Sequence, residues 1–567
     1  MKKEKKKSRQ LCLLLCLMLT VSMVLAGCGK RENSGKDDSQ KTPSTTDGAK
    51  EDTPDQGNAE DAAITGEPEP LTLPLTEEKK ELSVWRTYSN QFVEDLNDLP
   101  SIQKIEERTN IHINWTTVGQ GEASEKFGLL LASGNLPDMM WGGTYTGGNQ
   151  KGIDDGMFLD CDELVKQYMP NYYALVTAND TIRKKVTASD GKFHFVKTVF
   201  GNNQMFAAEE PAWNGLAIRK DWLDDLSLEV PVTIEDWHKT LVAFHDEKGA
   251  ESPLSIGQYG YTIMEPFLTA YGVASEFYKK SDGTIGFGPL EEGYKQWVEL
   301  FREWYAEGLI DQNFVTVGWG GAFNAPDEYI YNDKTGAFNV TWSYLADGYY
   351  ENGKYPNNSI EVVAVENPVL KDGDIPKVFY TPNITAGDTI ISANCKDPIL
   401  AVKWLDYLYS KEAMEYNYYG IEGETYTTDG NGTYEFTDLI LNNPDGYTSK
   451  DALSLYSVAS SGIGFYNWEY LNILYPNLEP KLAGKMLWSG QNRDMCLDLD
   501  DMTYEEQVEF NSIYTDIQTL VQENTVKFII GADSMGNYDS FVQSIYDYGI
   551  ERCLAIRQAQ ADRYSSR

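Results

Sequence analysis

Between residues 80 and 141 the apolar positions switch regularly between two periods. Glu81-Leu82-Ser83-Val84-Trp85 reads as a short strand, and residues 101–109 follow as a helix that begins after Pro100 and stops at Asn110. Ile111-His112-Ile113-Asn114-Trp115-Thr116 alternates with period two and predicts a second strand. A second helix spans about 123–133, with Phe127, Leu130 and Leu131 on one face and Gly134 at its end. Pro137-Asp138-Met139-Met140-Trp141 is another strand or strand edge, with Gly142-Gly143 as the turn. Strand, helix, strand, helix, strand is the rhythm of an α/β parallel sheet with crossover helices. Such sheets bind ligands at the carboxyl ends of their strands. Trp85 and Trp141 each close a strand and precede a polar loop.

The rhythm continues. Thr233 caps a helix through about residue 244, with Ile234, Trp237, Leu241 and Phe244 on one stripe. Tyr294, Trp297, Val298, Phe301, Trp304 and Tyr305 recur at spacings of three and four before Gly308, which predicts a buried helix face. Asp397-Pro398 supplies an N-cap and a first-turn proline for a helix whose face holds Ala401, Leu405 and Leu408, and Gly420 closes the helical stretch. Residues 539–563 read as a last long helical region, and no internal repeat is present.

The start of the chain has a different pattern. Residues 2–9 carry six positive charges and one negative, residues 11–27 are apolar and uncharged, and the run closes on Leu25-Ala26-Gly27-Cys28. A basic start, an apolar middle and a small-residue cleavage site make a secretory signal. Seventeen apolar residues fall short of the roughly 20 that a membrane-spanning helix needs. Leu-Ala-Gly-Cys resembles a bacterial lipobox, which implies that Cys28 is lipidated and becomes the mature N-terminus. Residues 29–78 are Ser, Thr, Gly, Asp, Glu, Lys and Pro with few large apolar side chains. Such a segment buries too little surface to offset its chain entropy, so it reads as a disordered tether ending at Pro68, Pro70 and Pro74.

The chain has 567 residues, enough for two to four average domains or one large two-lobed body, and with 41% apolar and 12% aromatic residues it can bury a sizeable core. Its formal charge is −39, and loss of residues 1–27, with six Lys/Arg and one Glu, leaves −44. So acidic a surface repels DNA, RNA and anionic lipid, so no nucleic-acid partner is expected. Cys12 and Cys16 leave with the signal, and Cys161, Cys395, Cys496 and Cys553 are scattered without a Cys-x-x-Cys pair. That is neither a zinc framework nor a disulfide scaffold.

Several blocks together resemble the family-1 extracellular solute-binding lipoproteins of bacterial ABC importers, in the branch of larger Gram-positive members. They are Leu82-Ser-Val-Trp85; Ala132-Ser-Gly-Asn-Leu-Pro-Asp138; Ile218-Arg-Lys-Asp-Trp-Leu223 with Pro231-Val-Thr-Ile-Glu-Asp-Trp237; Gly336-Ala-Phe-Asn-Val-Thr-Trp342; Asp397-Pro-Ile-Leu-Ala-Val-Lys-Trp-Leu-Asp-Tyr407; and Tyr419-Gly-Ile-Glu-Gly-Glu-Thr-Tyr426. The stretch from Ile529-Ile-Gly-Ala-Asp533 to Ala561-Asp-Arg-Tyr564 also fits. The resemblance implies an α/β, two-lobed periplasmic-binding-protein type II fold, with a hinge and an interlobe cleft. By analogy the domains are a signal peptide at 1–27, a lipidated linker at 28–79, lobe one at 80–200 and 376–455, and lobe two at 201–375 and 456–567. It implies a monomer on the extracellular side of the cell membrane, tied there by lipid. There it delivers sugars or oligosaccharides to the transmembrane subunits of an ABC permease. The ATPase would be a separate chain, and no Gly-x-x-x-x-Gly-Lys-Ser/Thr loop occurs here.

The residue chemistry suits a sugar independently. A sugar ring has apolar C–H faces and a polar rim; Trp and Tyr stack on the former, and Asn, Asp, Glu and Arg bond the latter. Loop-like segments that offer both supply the candidate ligand-binding residues Trp85, Arg86, Asn90, Trp141, Trp213, Trp319, Trp342, Tyr344 and Trp468, at least two of the tryptophans lining the cleft. Glu424, in the Gly-Ile-Glu-Gly-Glu turn, joins them as a hydrogen-bonding group. Core packing is the ordinary alternative for any single Trp.

No catalytic residue, cofactor or metal is expected. Relatives that bind acidic polysaccharides often carry a calcium loop after the helix that matches 234–244, but His245-Asp-Glu-Lys-Gly-Ala-Glu-Ser252 lacks the alternating Asp/Asn ligands. His238 and His245 could share a helix face, yet no third zinc ligand is near in sequence. Glu422 and Glu424 are the best carboxylate pair for glycoside hydrolysis, and no Gly-x-Ser-x-Gly elbow appears. Alongside the sugar-binding reading stand a binding protein for peptides or another polar solute, and a surface polysaccharide lyase or hydrolase.

Overall fold

The computed structural model describes residues 68–88, 90, 92–178, 180–203, 212, 214–255, 266–316, 327–341, 360–378, 384–459, 464–474 and 478–567. The chain divides into residues 1–63 and 64–567, and only the second unit is described. Cys28, Trp213, Trp319, Trp342 and Tyr344 lie outside the described residues.

The body begins earlier than the first predicted strand. Residues 69–76, read as the end of the tether, lie against it: Leu71, Leu73 and Leu75 pack on the first core, and Leu75 N donates to Thr109 O at 3.0 Å. Alternating leucines give this stretch an apolar face that the Ser/Gly-rich part before it lacks.

The chain then lays down β1 (Lys80–Thr87), β2 (Ile111–Val118), β3 (Met139–Trp141) and β4 (Val196–Gly201). It passes into β5 (Asn214–Arg219), β6 (Leu254–Ser255), the hairpin of β7 (Phe277–Lys279) and β8 (Ile285–Phe287), then β9 (Ala337–Thr341) and β10 (Val362–Ala364). It returns through β11 (Thr385–Ile391), the hairpin of β12 (Tyr426–Thr428) and β13 (Tyr434–Phe436), and β14 (Phe465–Asn467). One sheet has the order β14-β4-β11-β3-β1-β2, and another β10-β5-β9-β6. The sequence predicted a parallel sheet, and β1 is parallel to β2 and β3, as β14 is to β4. β11 instead runs antiparallel to β3 and β4. The reason is connectivity. The chain leaves the sheet at the carboxyl end of β4 and re-enters beside it, since Thr385 pairs with Val199.

Period two divides β1 between the faces of the sheet. Leu82 and Val84 join the first core with Ile102 and Ile105 of the helix Pro100–Thr109, while Trp85 joins Phe127 of the helix Ala123–Ser133 on the other side. Each helix ends where the sequence predicts, Asn110 (φ 60) and Gly134 (φ 65) taking the left-handed conformation that closes the last turn. A second core gathers around the predicted aromatic stripe: Trp237 and Phe244 from the helix Ile234–Asp246, and Trp297, Phe301 and Trp304 from Glu292–Ala306. The chain alternates between the cores. Residues 82–199 and 384–474 supply the first, and 216–365 with 495–556 the second.

A 26-residue helix, Tyr504–Ile529, packs Phe510, Ile517, Val521 and Phe528 into the second core. Thr503 Oγ1 accepts from Glu506 N at 3.2 Å while Glu506 Oε2 accepts from Thr503 N at 3.0 Å. The Arg563 guanidinium bonds the same carboxyl and holds it below the usual glutamate range. Thr503→Ala removes one half of this box, and urea unfolding should show a loss of about 1 kcal/mol; an unchanged midpoint would remove the cap from the account. The long helical region predicted at 539–563 is there as two helices, Tyr538–Asp547 and Ile550–Ser566, and Gly549 at φ 94 turns the chain between them.

Candidate functional site

β1, β2, β3, β4 and β14 all end at one edge of the six-stranded sheet, where Thr87, Val118, Trp141, Gly201 and Asn467 stand. Loops leave from there, and at such an edge α/β sheets place their ligands. In the second sheet β6, β9 and β10 end on the side where β5 begins, with Asn214 opposite Thr341. Trp213 and Trp342 are the next residues in sequence to that pair.

Arg86 sits at the first edge in a box of rings. It is 0% exposed, and its guanidinium lies 4.5 Å from the Trp141 ring centroid, 4.8 Å from Tyr88 and 6.0 Å from Trp115. Burial lowers its pKa to about 9, against the opposing pull of Tyr88 and Tyr418, so it stays a cation at neutral pH. Burial also raises the Tyr88 and Tyr418 hydroxyls. A cation stacked on ring faces is held there by their quadrupoles and holds them in turn. Asn90 completes the corner: Nδ2 donates to Tyr88 Oη at 3.1 Å and to Ser454 O at 2.9 Å, while Oδ1 accepts from Phe92 N at 2.8 Å.

A second polar cluster joins the ends of β4 and β14. Asn467 Nδ2 donates to Asn203 Oδ1 at 2.8 Å and to Tyr419 Oη at 3.2 Å, and Tyr419 Oη donates to the same Asn203 oxygen. Asn203 N donates to Glu469 Oε2 at 2.9 Å. Trp468, half-buried, follows directly, its N–H donating to Gly201 O at 3.2 Å.

Beside the edge lies a cavity of about 1030 Å³, with walls drawn from both cores' elements. The glycine-rich loop after β3, Lys197 of β4 and Asp388 of β11 line it together with Tyr504 and Gln507 of the long helix and its cap Thr503. Lys151 Nζ stands 5.1 Å from the Tyr504 ring centroid. Gly147, at φ 89, lets that ring approach: a β-carbon there would come within 2.4 Å of it. Among the described residues no group of three His, Cys, Asp or Glu could hold a metal, and no helix is long and apolar enough to cross a membrane.

The structure thus brings Arg86, Asn90, Trp141 and Trp468 to the carboxyl edge. Trp85 is placed otherwise. It is 2% exposed and its ring centroid lies 5.2 Å from that of Phe127, so it serves packing; as an odd position in β1 it points beneath the helix Ala123–Ser133. Glu424 is exposed, and its backbone, not its carboxylate, makes the turn's bonds, with N donating to Ile421 O at 3.1 Å. Lys197, Asp388 and Tyr504 of the cavity wall were not singled out in the sequence. Only the Thr503-x-x-Glu506 capping signal in front of the long helix could have pointed to that region.

The profile of the bacterial extracellular solute-binding protein family matches residues 98–415. The chain is 24% identical over 533 residues, 88% of its length and 93% of the relative's, to the fructooligosaccharide ABC transporter substrate-binding protein FusA of Streptococcus pneumoniae. It is 23% identical to lipoprotein LipO of Bacillus subtilis, over 78% of this chain and 85% of that one. Its fold matches the crystal structure of the alginate-binding protein AlgQ2 without calcium ion, with a TM-score of 0.67 at 19% identity, over 86% of this chain and 99% of that one. These likenesses show a two-lobed periplasmic-binding-protein type II architecture.

Proposed function

The chain belongs to the bacterial extracellular solute-binding protein family, whose members bind rather than convert their solutes, and on that premise we propose that it captures a sugar or oligosaccharide and delivers it to an ABC permease. The observation that carries this is the cavity of about 1030 Å³ between elements of the two cores, with aromatic rings and charged groups along its walls and at the adjoining strand edge. That volume is in the range of small-molecule sites. The relative FusA, named for fructooligosaccharide, supports the same class of solute.

In this reading the lobes follow the cores: residues 80–201 with 385–474 form one, and 214–369 with 495–567 the other. The chain crosses between them three times, and closure is a hinge motion about those crossings. Trp141, Trp468 and, from outside the described residues, Trp213, Trp319, Trp342 and Tyr344 are the rings that meet the sugar. The protein works as a monomer, held at the cell membrane through lipid on Cys28; the similarity to a protein named lipoprotein supports the anchor.

Thermal unfolding with kestose, maltotriose, xylotriose, trigalacturonate and a tripeptide tests the reading. A ligand at about 100 times its dissociation constant adds about 2.7 kcal/mol of stability, so one trisaccharide should raise the midpoint without being consumed. A shift by the tripeptide alone points to peptide transport, and release of shorter sugars points to an enzyme.

A further inference from the structure

Asp388 owes its place on the cavity wall to a break in the sheet. β11 pairs with β4 so that Thr385 stands opposite Val199 and Ala386 opposite Thr198; the register then shifts, with Asp388 opposite Lys197 and Thr389 opposite Val196. Gly387, at φ 47, is the extra residue. A bulge of this kind re-aims the side chains beyond it. In an unbroken ladder Asp388 would pair with Val196, which is fully buried in the first core, and paired residues share a face. The bulge gives it Lys197 instead, and both residues line the cavity.

Asn149 completes the group. A backbone N–H can only donate, so the 2.8 Å bond from Tyr145 N fixes the Asn149 amide with Oδ1 toward it. Nδ2 then donates to Asp388 Oδ2 at 2.8 Å. The other carboxylate oxygen, Oδ1, lies 4.0 Å from Lys197 Nζ, near enough for charge attraction and beyond hydrogen-bond reach. Asp388 and Lys197 keep 22% and 23% of their side-chain surface in contact with solvent. Trp141 pairs with Thr389 in the neighbouring strand, and its Nε1 stands 3.7 Å from where a β-carbon on Gly387 would be.

We propose that Asp388, Lys197 and Asn149 form the polar subsite of the cavity that takes a vicinal pair of hydroxyls on a neutral sugar ring. This rests on the sugar-binding reading above and adds the chemistry that selects the ring. The carboxylate accepts from the two hydroxyls, as an ionised group can through both oxygens. The Lys197 ammonium donates to one hydroxyl oxygen, and Asn149 holds the carboxylate in line. A uronate brought to the same place meets Asp388 charge to charge, so the subsite favours uncharged rings.

Calorimetric titration of the full mature chain with kestose, maltotriose, xylotriose, mannotriose and trigalacturonate tests this. The wild type should bind one neutral trisaccharide and bind trigalacturonate more weakly. Asp388→Asn should weaken the neutral sugar about 10- to 100-fold, the size of a lost bond to a charged group, and narrow the gap to trigalacturonate. Gly387→Ala keeps the carboxylate but strains the bulge, and should weaken binding in the same direction. If Asp388→Asn does not fold, Asn149→Ala reads the same selectivity. An unchanged dissociation constant and selectivity in the folded variants, with wild type binding intact, overturns the subsite and leaves sugar capture standing. Wild type binding none of the five sugars overturns both.

Discussion

Replacing Arg567 with Ala is expected to destabilise the protein by about 3–5 kcal/mol, the cost of stranding one member of a buried ion pair. Arg567 is 10% exposed and Asp500, which its Nη1 bonds, is 3% exposed. Nη2 donates to Thr187 O at 3.0 Å and to Lys184 O at 3.3 Å. Thr187 follows the helix Asp180–Val186, whose Ile182 and Val186 belong to the first core. Asp500 is tied to Gln560, whose helix, Ile550–Ser566, serves the second. The guanidinium therefore joins elements of both cores, and Lys185 with Asp498 at 2.8 Å lies alongside. Exposed pairs contribute at most about 1 kcal/mol, so Lys79→Ala, which breaks the exposed pair with Glu106, is the control. Urea unfolding should separate the two variants clearly. Arg567→Lys should fall between, because an ammonium cannot reach a carboxylate and two carbonyls with one planar fork. Equal midpoints for Arg567→Ala and Lys79→Ala would reduce the pair to an ordinary surface contact.

Cys28→Ala is expected to move the protein from the membrane fraction to the medium. Leu25-Ala26-Gly27-Cys28 ends an apolar run that reads as a secretory signal. Each buried methylene of an attached acyl chain contributes about 0.8 kcal/mol, so two chains hold a protein that one holds only marginally. Charge would not replace the lipid, since a chain that has lost residues 1–27 carries −44 and is repelled by an anionic surface. Pelleting of membranes with immunoblotting reads the result, and incorporation of an alkyne-tagged fatty acid at Cys28 confirms its cause. If the alanine variant still sediments with the membrane, the lipid is not the anchor.

The two predictions draw on different kinds of information. The second needs only neighbours within thirty residues of one another. The first needs residues 184–187, 500 and 567 brought together, and nothing periodic announces that meeting. The same division runs through the fold. The aromatic stripe of Glu292–Ala306 was legible because apolar residues at spacings of three and four must share a helix face. The long helix Tyr504–Ile529 was not, because its buried positions Phe510, Ile517, Val521 and Phe528 are sparse among charged residues. Trp85 and Arg86 looked alike as edge candidates, yet one-residue alternation sends the indole under a helix and the guanidinium into the ring box.

By itself the sequence determined the α/β rhythm, the helix caps and the family resemblance, since each is written in residues a turn or a strand apart. Only the tertiary structure decided that β11 runs against its neighbours, that Gly387 turns Asp388 toward Lys197, and that Tyr504 closes over Gly147. Those facts depend on where the chain re-enters a sheet it has left, and on packing between segments hundreds of residues apart, which local patterning does not encode.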